Sequence, residues 1–245
     1  MMPSMEMGPT EDTLLGGRVR LLQPSRGYRV AVDAVLLAAA VAAAPGDRVL
    51  DLGAGVGAVG LCLAVRVPGC TIVAVELQPG LAALADRNAV LNAAEGRIRT
   101  VVHDLARPLP ADLVNFDHVT TNPPYLAAAV ADPSPNPSKA LATVESSADL
   151  ARWLAAAVGS LKPAGTLTMI HRSDRLEEIV RHLTRLGWGD VTTKHLPPAA
   201  RVLLRARWAG VPARRISPPL VLHRPEGGYT EEAEAILRHA APLAF

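Results

Sequence analysis

Arg48-Val49-Leu50-Asp51-Leu52-Gly53-Ala54-Gly55-Val56-Gly57-Ala58-Val59-Gly60 decides the fold of this chain. An apolar strand, interrupted only by Asp51, runs into a glycine turn and continues as a helix through Val65. Glycine is required where the backbone turns left-handed or where a ligand approaches it closely. A strand, a glycine loop and a helix in that order form the opening unit of a nucleotide-binding α/β domain.

Outward from this unit the pattern repeats. Thr71–Val75 reads as a second strand, Gly80–Asn92 as a helix, Ile98–His103 as a third strand and Asp117–Thr121 as a fourth. Ala148–Leu161 reads as a helix, with Trp153, Leu154, Ala157, Val158 and Leu161 at core-facing spacing. Thr166–Ile170 is the fifth strand, Asp174–Leu186 a helix, and Val191–Leu196 with Val202–Trp208 a closing pair. Continuous apolar strands alternating with helices predict a mostly parallel sheet covered on both faces. Ahead of it, Arg18–Leu22 and Tyr28–Val30 read as a hairpin around Gln23–Gly27, followed by a helix capped by Asp33. Residues 1–13 read as a mobile start. Residues 14–45 are then a hairpin and helix, 46–210 the core and 211–245 an extension carrying a short helix from Thr230.

In such sheets ligands sit at the carboxyl ends of the strands. The glycine loop, Glu76, Asp104 and Asn122 all fall there. The loop fits two cofactors. Gly55, Gly57 and Gly60, with Glu76 placed to hold a ribose, match a dinucleotide site. Asp51 through Gly57 equally match the loop of S-adenosylmethionine enzymes. Asp51 separates the two, because a carboxylate inside the first strand needs donors. S-adenosylmethionine carries a sulfonium and an ammonium and no phosphate, so Asp51, Glu76 and Asp104 suit it electrostatically. Asp104 also reads as a turn residue before Leu105.

The fourth strand ends in Asn122-Pro123-Pro124-Tyr125. An amide carbonyl, two rigid prolines and a ring suit chemistry on a planar nitrogen. Directly after it comes the proline-rich stretch 126–140, a long loop of the kind that is functional or disordered.

Bulk properties narrow the classes. Of 245 residues 49% are hydrophobic, enough for one sizeable core. No uninterrupted apolar run is long enough to span a membrane, and the first residues lack the basic and apolar regions of a secretory signal. Cys62 and Cys70 form no metal or redox motif and read as reduced thiols of a cytoplasmic protein. A net charge of +2 does not by itself imply nucleic acid. The arginines are nonetheless clustered, at Arg18, Arg20, Arg26 and Arg29 and again at Arg201, Arg205, Arg207, Arg214 and Arg215.

With these residues together, the chain resembles the class I S-adenosylmethionine-dependent methyltransferases, and more narrowly the small bacterial enzymes that methylate adenine N6 in a valine tRNA. The narrower likeness rests on Gln23-Pro24 through Gly27-Tyr28-Arg29 to Asp33-Ala34-Val35-Leu36-Leu37. The resemblance implies a Rossmann-like, seven-stranded fold and cofactor contacts from Asp33, Asp51, Gly53, Ala54, Gly55, Gly57, Glu76, Leu77, Asp104, Leu105 and Asn122. It implies catalysis by Asn122, Pro123, Pro124 and Tyr125, with RNA as partner and no metal. Asn122 Oδ1 and the Pro123 carbonyl would accept the amine protons, and Tyr125 would stack on the base. Enzymes that methylate protein glutamine or ribosomal RNA guanine share the tip. The glutamine enzymes carry a helical domain before the fold, and only about 45 residues precede the first core strand here. A nicotinamide oxidoreductase would need a catalytic Tyr-Lys or His pair, and none is convincing.

Overall fold

The computed structural model describes residues 8–27, 29–125, 148–208 and 212–245. The proline-rich stretch 126–140 and Tyr28 lie outside them. The core is an eight-stranded sheet. Its first half holds β3 (Arg48–Leu52), β4 (Thr71–Glu76), β5 (Ile98–Val102) and β6 (Phe116–Thr121). Its second holds β7 (Leu161–Arg172), β8 (Asp190–His195), β9 (Arg201–Arg207) and β10 (Ala213–Ile216). Their order across the sheet is β10-β8-β9-β7-β6-β3-β4-β5, and β9 alone runs antiparallel to its neighbours.

The seven-stranded expectation is corrected to eight. β10 pairs parallel with β8 at the sheet edge. Its sequence, Ala-Arg-Arg-Ile, stays exposed over Arg214 to Ile216 and so carries no hydrophobic alternation to announce it.

The helices follow from the glycine punctuation and the apolar spacing. They are α1 (Val32–Ala40), α2 (Ala58–Arg66), α3 (Pro79–Leu91), α4 (Leu150–Ser160), α5 (Leu176–Arg185) and α6 (Glu231–His239). Strand periodicity divides the core in two. Val49 and Ile72 join α1, α2 and α6 on one face. Leu50, Leu52 and Val119 join α4 and α5 on the other. Asp149 caps α4 by accepting the Arg152 N–H, and Thr230 caps α6 by accepting that of Ala233.

The leading hairpin differs from the expectation. β1 (Thr10–Leu14) pairs antiparallel with β2 (Val19–Gln23), so the part of the start from Thr10 is ordered in a strand. The turn between them places Leu15, Gly16 and Gly17 in the left-handed region. The Gly16-Gly17 pair makes that turn cheap, and the polar sequence of β1 hid the strand. Val30 forms no hairpin with β2; its N–H donates to the Gln23 side chain at 2.7 Å.

Two asparagines one turn apart, Asn88 in α3 and Asn92 just after it, bind the open edge of β2. Asn88 accepts from Leu22 N at 2.7 Å and donates to Leu22 O at 3.0 Å. Asn92 does the same with the two backbone groups of Arg20. Asn88 also donates to Val56 O at 2.9 Å, which ties the hairpin to the glycine loop.

Candidate active site

At the carboxyl ends of β3, β4, β5 and β6 a mostly apolar cleft opens. Gly53, Ala54, Gly55, Glu76, Leu77, Asp104, Leu105, Asn122, Pro123, Pro124 and Tyr125 all line it. Asp33, Asp51 and Gly57, expected beside them, do not.

The glycine loop is built from short-range constraints. Gly53, Gly55 and Gly57 have φ of 74°, 58° and 84°. A Cβ on Gly53 would lie 2.4 Å from the Trp153 ring, so this glycine lets an α4 tryptophan close against the loop. A Cβ on Gly57 would press on Ala85 of α3 at 3.3 Å. At Gly55 the space is open, on the side where the cleft lies. Glu76 finishes β4 and holds the loop: Oε2 accepts the Gly55 N–H and Oε1 the Gln78 N–H, both at 2.8 Å. Burial raises the Glu76 pKa, against these backbone donors that lower it.

Asp51 lies beneath the loop, 2% exposed, with Oδ2 unpartnered among the described residues. Burial first, and the nearby Glu76 second, raise its pKa to about 7. Such a buried carboxylate favours a cation nearby. Open space at Gly55 in the cleft lining, an anchored carboxylate in Glu76 and a carboxylate short of donors in Asp51 together fit a ribose-bearing cofactor with positive charge. Asp104 combines both of its readings. It lines the cleft, and its Oδ1 accepts the Ala106 N–H at 2.9 Å in a turn.

Asn122 follows the last residue of β6. Its Oδ1 is buried and has no hydrogen-bond partner among the described residues. Asn122 as a residue lines the cleft. Tyr125, by contrast, is surrounded. Its hydroxyl donates to Asp33 Oδ2 at 2.7 Å. The Arg201 guanidinium lies over its ring at 4.4 Å from the centroid. His171 meets the ring edge-on, with centroids 5.2 Å apart. Burial lowers the His171 pKa to about 4, so it is a neutral wall at physiological pH.

The N-cap reading of Asp33 is corrected. Ala31 precedes α1 without a side-chain cap, and Asp33 sits in the first turn, turned to Tyr125 and Arg201. Cleft residues that sequence reasoning missed include Gln23, Val30, Gln78, His103 and Trp153. Two had a signal: Trp153 on the core-facing stripe of α4, and His103 at the carboxyl end of the third strand, where it read as structural. Among the described residues no group of three metal-ligating side chains occurs.

Residues 29–184 match the family described as methyltransferase small domain. The chain is 29% identical over 212 residues to the tRNA1(Val) (adenine(37)-N6)-methyltransferase of Haemophilus influenzae, covering 85% of this chain and 89% of that one. It is 34% identical over 152 residues to the release factor glutamine methyltransferase of Salmonella typhimurium, covering 60% of this chain but only 54% of that one. The crystal structure of a predicted O-methyltransferase from Agrobacterium tumefaciens superposes with a TM-score of 0.71 at 25% identity, covering 87% of this chain and 99% of that one. The chain belongs to the methyltransferase small domain family, and it is an S-adenosylmethionine-dependent methyltransferase.

Proposed function

We propose that the protein methylates an exocyclic amino nitrogen, N6 of an adenine in tRNA. The observation that carries this reading is Asn122 in the cleft wall, whose buried Oδ1 has no partner among the described residues. A buried acceptor without a donor costs free energy on the order of 1–3 kcal/mol. An amino group entering the cleft supplies that donor and keeps a second N–H for the Pro123 carbonyl, whereas a hydroxyl or a thiol has one proton and satisfies only one of the two acceptors.

When bound, S-adenosylmethionine supplies an electrophilic methyl group. Gly53, Ala54, Gly55, Glu76, Leu77, Asp104 and Leu105 would hold it, with Glu76 on the ribose hydroxyls and Asp51 answering its positive charge from below. Asn122 Oδ1 and the Pro123 carbonyl would accept hydrogen bonds from the two amine N–H groups. This favours a more tetrahedral nitrogen, whose lone pair is otherwise delocalised into the base. Tyr125 offers a ring on which a base stacks, so that much of the acceleration comes from orientation. Extraction of the base from its RNA context precedes this stacking. A tRNA substrate places the enzyme in the cytoplasm.

The extent of the likenesses separates the targets. The adenine-N6 relative is matched along nearly its whole length, the glutamine relative along little more than half. The higher identity to the latter keeps protein glutamine as the second reading. The two divide cleanly in a transfer assay with labelled S-adenosylmethionine, run on unmodified tRNA and on release factor in parallel. Label in the tRNA is the expected result; label confined to the release factor overturns the reading. Binding to tRNA should also weaken steeply with salt, as phosphate contacts release counterions.

A further inference from the structure

Tyr125 closes a short segment behind two prolines, and a free phenol ring there would sample several χ1 wells. Contacts with Asp33 and Arg201, beside the edge-on His171, remove that freedom. Asp33 Oδ2 accepts the phenol O–H at 2.7 Å and the Arg201 Nε–H at 3.2 Å. Arg201 in turn lays its guanidinium on the ring at 4.4 Å. The triangle joins the first turn of α1, the end of the β6 tip and the first residue of β9. Asp33 and Arg201 are both partly buried and neither lines the cleft, whereas Tyr125 does. Their charges compensate each other. A guanidinium paired with a carboxylate and stacked on a ring is poorly placed to serve as a phosphate contact.

We propose that Asp33 and Arg201 are positioning residues that lock Tyr125 in the orientation in which its ring meets the target base. This rests on the adenine reading above. Arg201 acts by occupying one face of the platform, and Asp33 acts by fixing the phenol oxygen. The role of Asp33 is therefore in base orientation rather than in cofactor binding.

The test compares Asp33→Ala, Tyr125→Phe, Arg201→Ala and the double variant Asp33→Ala/Tyr125→Phe in the full chain. Three quantities are read: kcat on tRNA, the Kd for tRNA at fixed salt, and the Kd for S-adenosylhomocysteine by calorimetry. Each single variant should lower kcat about tenfold, because misorientation of a reacting group is costly. Both Kd values should move less than twofold, which also shows that the variants fold. Asp33→Ala/Tyr125→Phe should lose no more than Asp33→Ala alone, since the two substitutions break one shared bond. Multiplicative losses in the double variant would overturn the lock. So would a selective loss of S-adenosylhomocysteine affinity in Asp33→Ala, or of tRNA affinity in Arg201→Ala. Inactivity of wild type on tRNA defeats the adenine reading instead; the same cycle then runs on release factor. Full wild-type activity with unchanged kcat in Arg201→Ala defeats the lock alone.

Discussion

The cofactor half of the cleft and its tip half are held by different kinds of bond. Around β3 and β4 the geometry comes from backbone sterics and backbone donors. Glu76 is satisfied by Gly55, 21 residues away, and by Gln78, two residues away. Around the tip, the Tyr125 ring is fixed by side chains far off in sequence. Tyr125 and Asp33 are separated by 92 residues, and Asp33 and Arg201 by 168. The first half is a cradle set by left-handed glycines, backbone donors and the close packing of Trp153 and Ala85. The second is an assembly whose parts meet only after the whole sheet has formed, so substitutions in the two halves should fail in different ways.

The sharpest separation comes from Asn122→Ala. Removal of one acceptor aimed at the reacting group should lower kcat by about a hundredfold or more, by analogy with the loss of a single oriented hydrogen-bonding group in other active sites. Affinity for S-adenosylhomocysteine should stay within a few-fold, because the cradle does not depend on this side chain. Equal loss of both would erase the distinction between the halves.

In the cradle, substitutions should act on stability first. Gly53→Ala combines a left-handed φ of 74° with a clash against Trp153. Urea denaturation should show a loss of about 3 kcal/mol. Gly55→Ala shares the left-handed backbone but meets open space, so its loss should be about 1 kcal/mol, with weaker cofactor binding as the methyl enters the cleft. If the two alanine variants were equally stable, Trp153 would not be packed against the loop as described.

The smallest effect concerns pH. With its pKa raised to about 7, Asp51 keeps its proton in the ligand-free folded protein long after the unfolded chain has lost it. The folded state then binds more protons between about pH 4 and pH 7, so stability falls as pH rises across that window and levels off above it. Asp51→Asn removes this contribution. Relative to wild type, the variant should gain about 1 kcal/mol in unfolding free energy between pH 6 and pH 8, measured by denaturant titration. A gap that does not change with pH would place the proton elsewhere.

The same division explains what could be read from the sequence. The strand, glycine turn and helix from Arg48 onward, the carboxylate at Glu76 and the Asn122–Tyr125 tip follow local rules, and the structure places them at one end of the sheet. Polarity hid β1 and β10, because strands that bury little carry no alternation. Asp33 looked like a helix cap because the residue type before an apolar run says so; its partners lie in segments that no local pattern connects to it. Arg201 was visible only as one of a cluster of arginines, and its pairing with Tyr125 is a fact of tertiary structure. Asn88 and Asn92 were likewise unremarkable in a helix until β2 was laid against them.

The most direct test of the central claim is the chemical identity of the product. tRNA from a strain lacking the gene is incubated with the protein and S-adenosylmethionine, digested to nucleosides and resolved by mass spectrometry. The account predicts N6-methyladenosine with the wild-type protein and none above background with Asn122→Ala. N2-methylguanosine or a ribose-methylated nucleoside formed in its place, or no new methylated nucleoside at all, would contradict it.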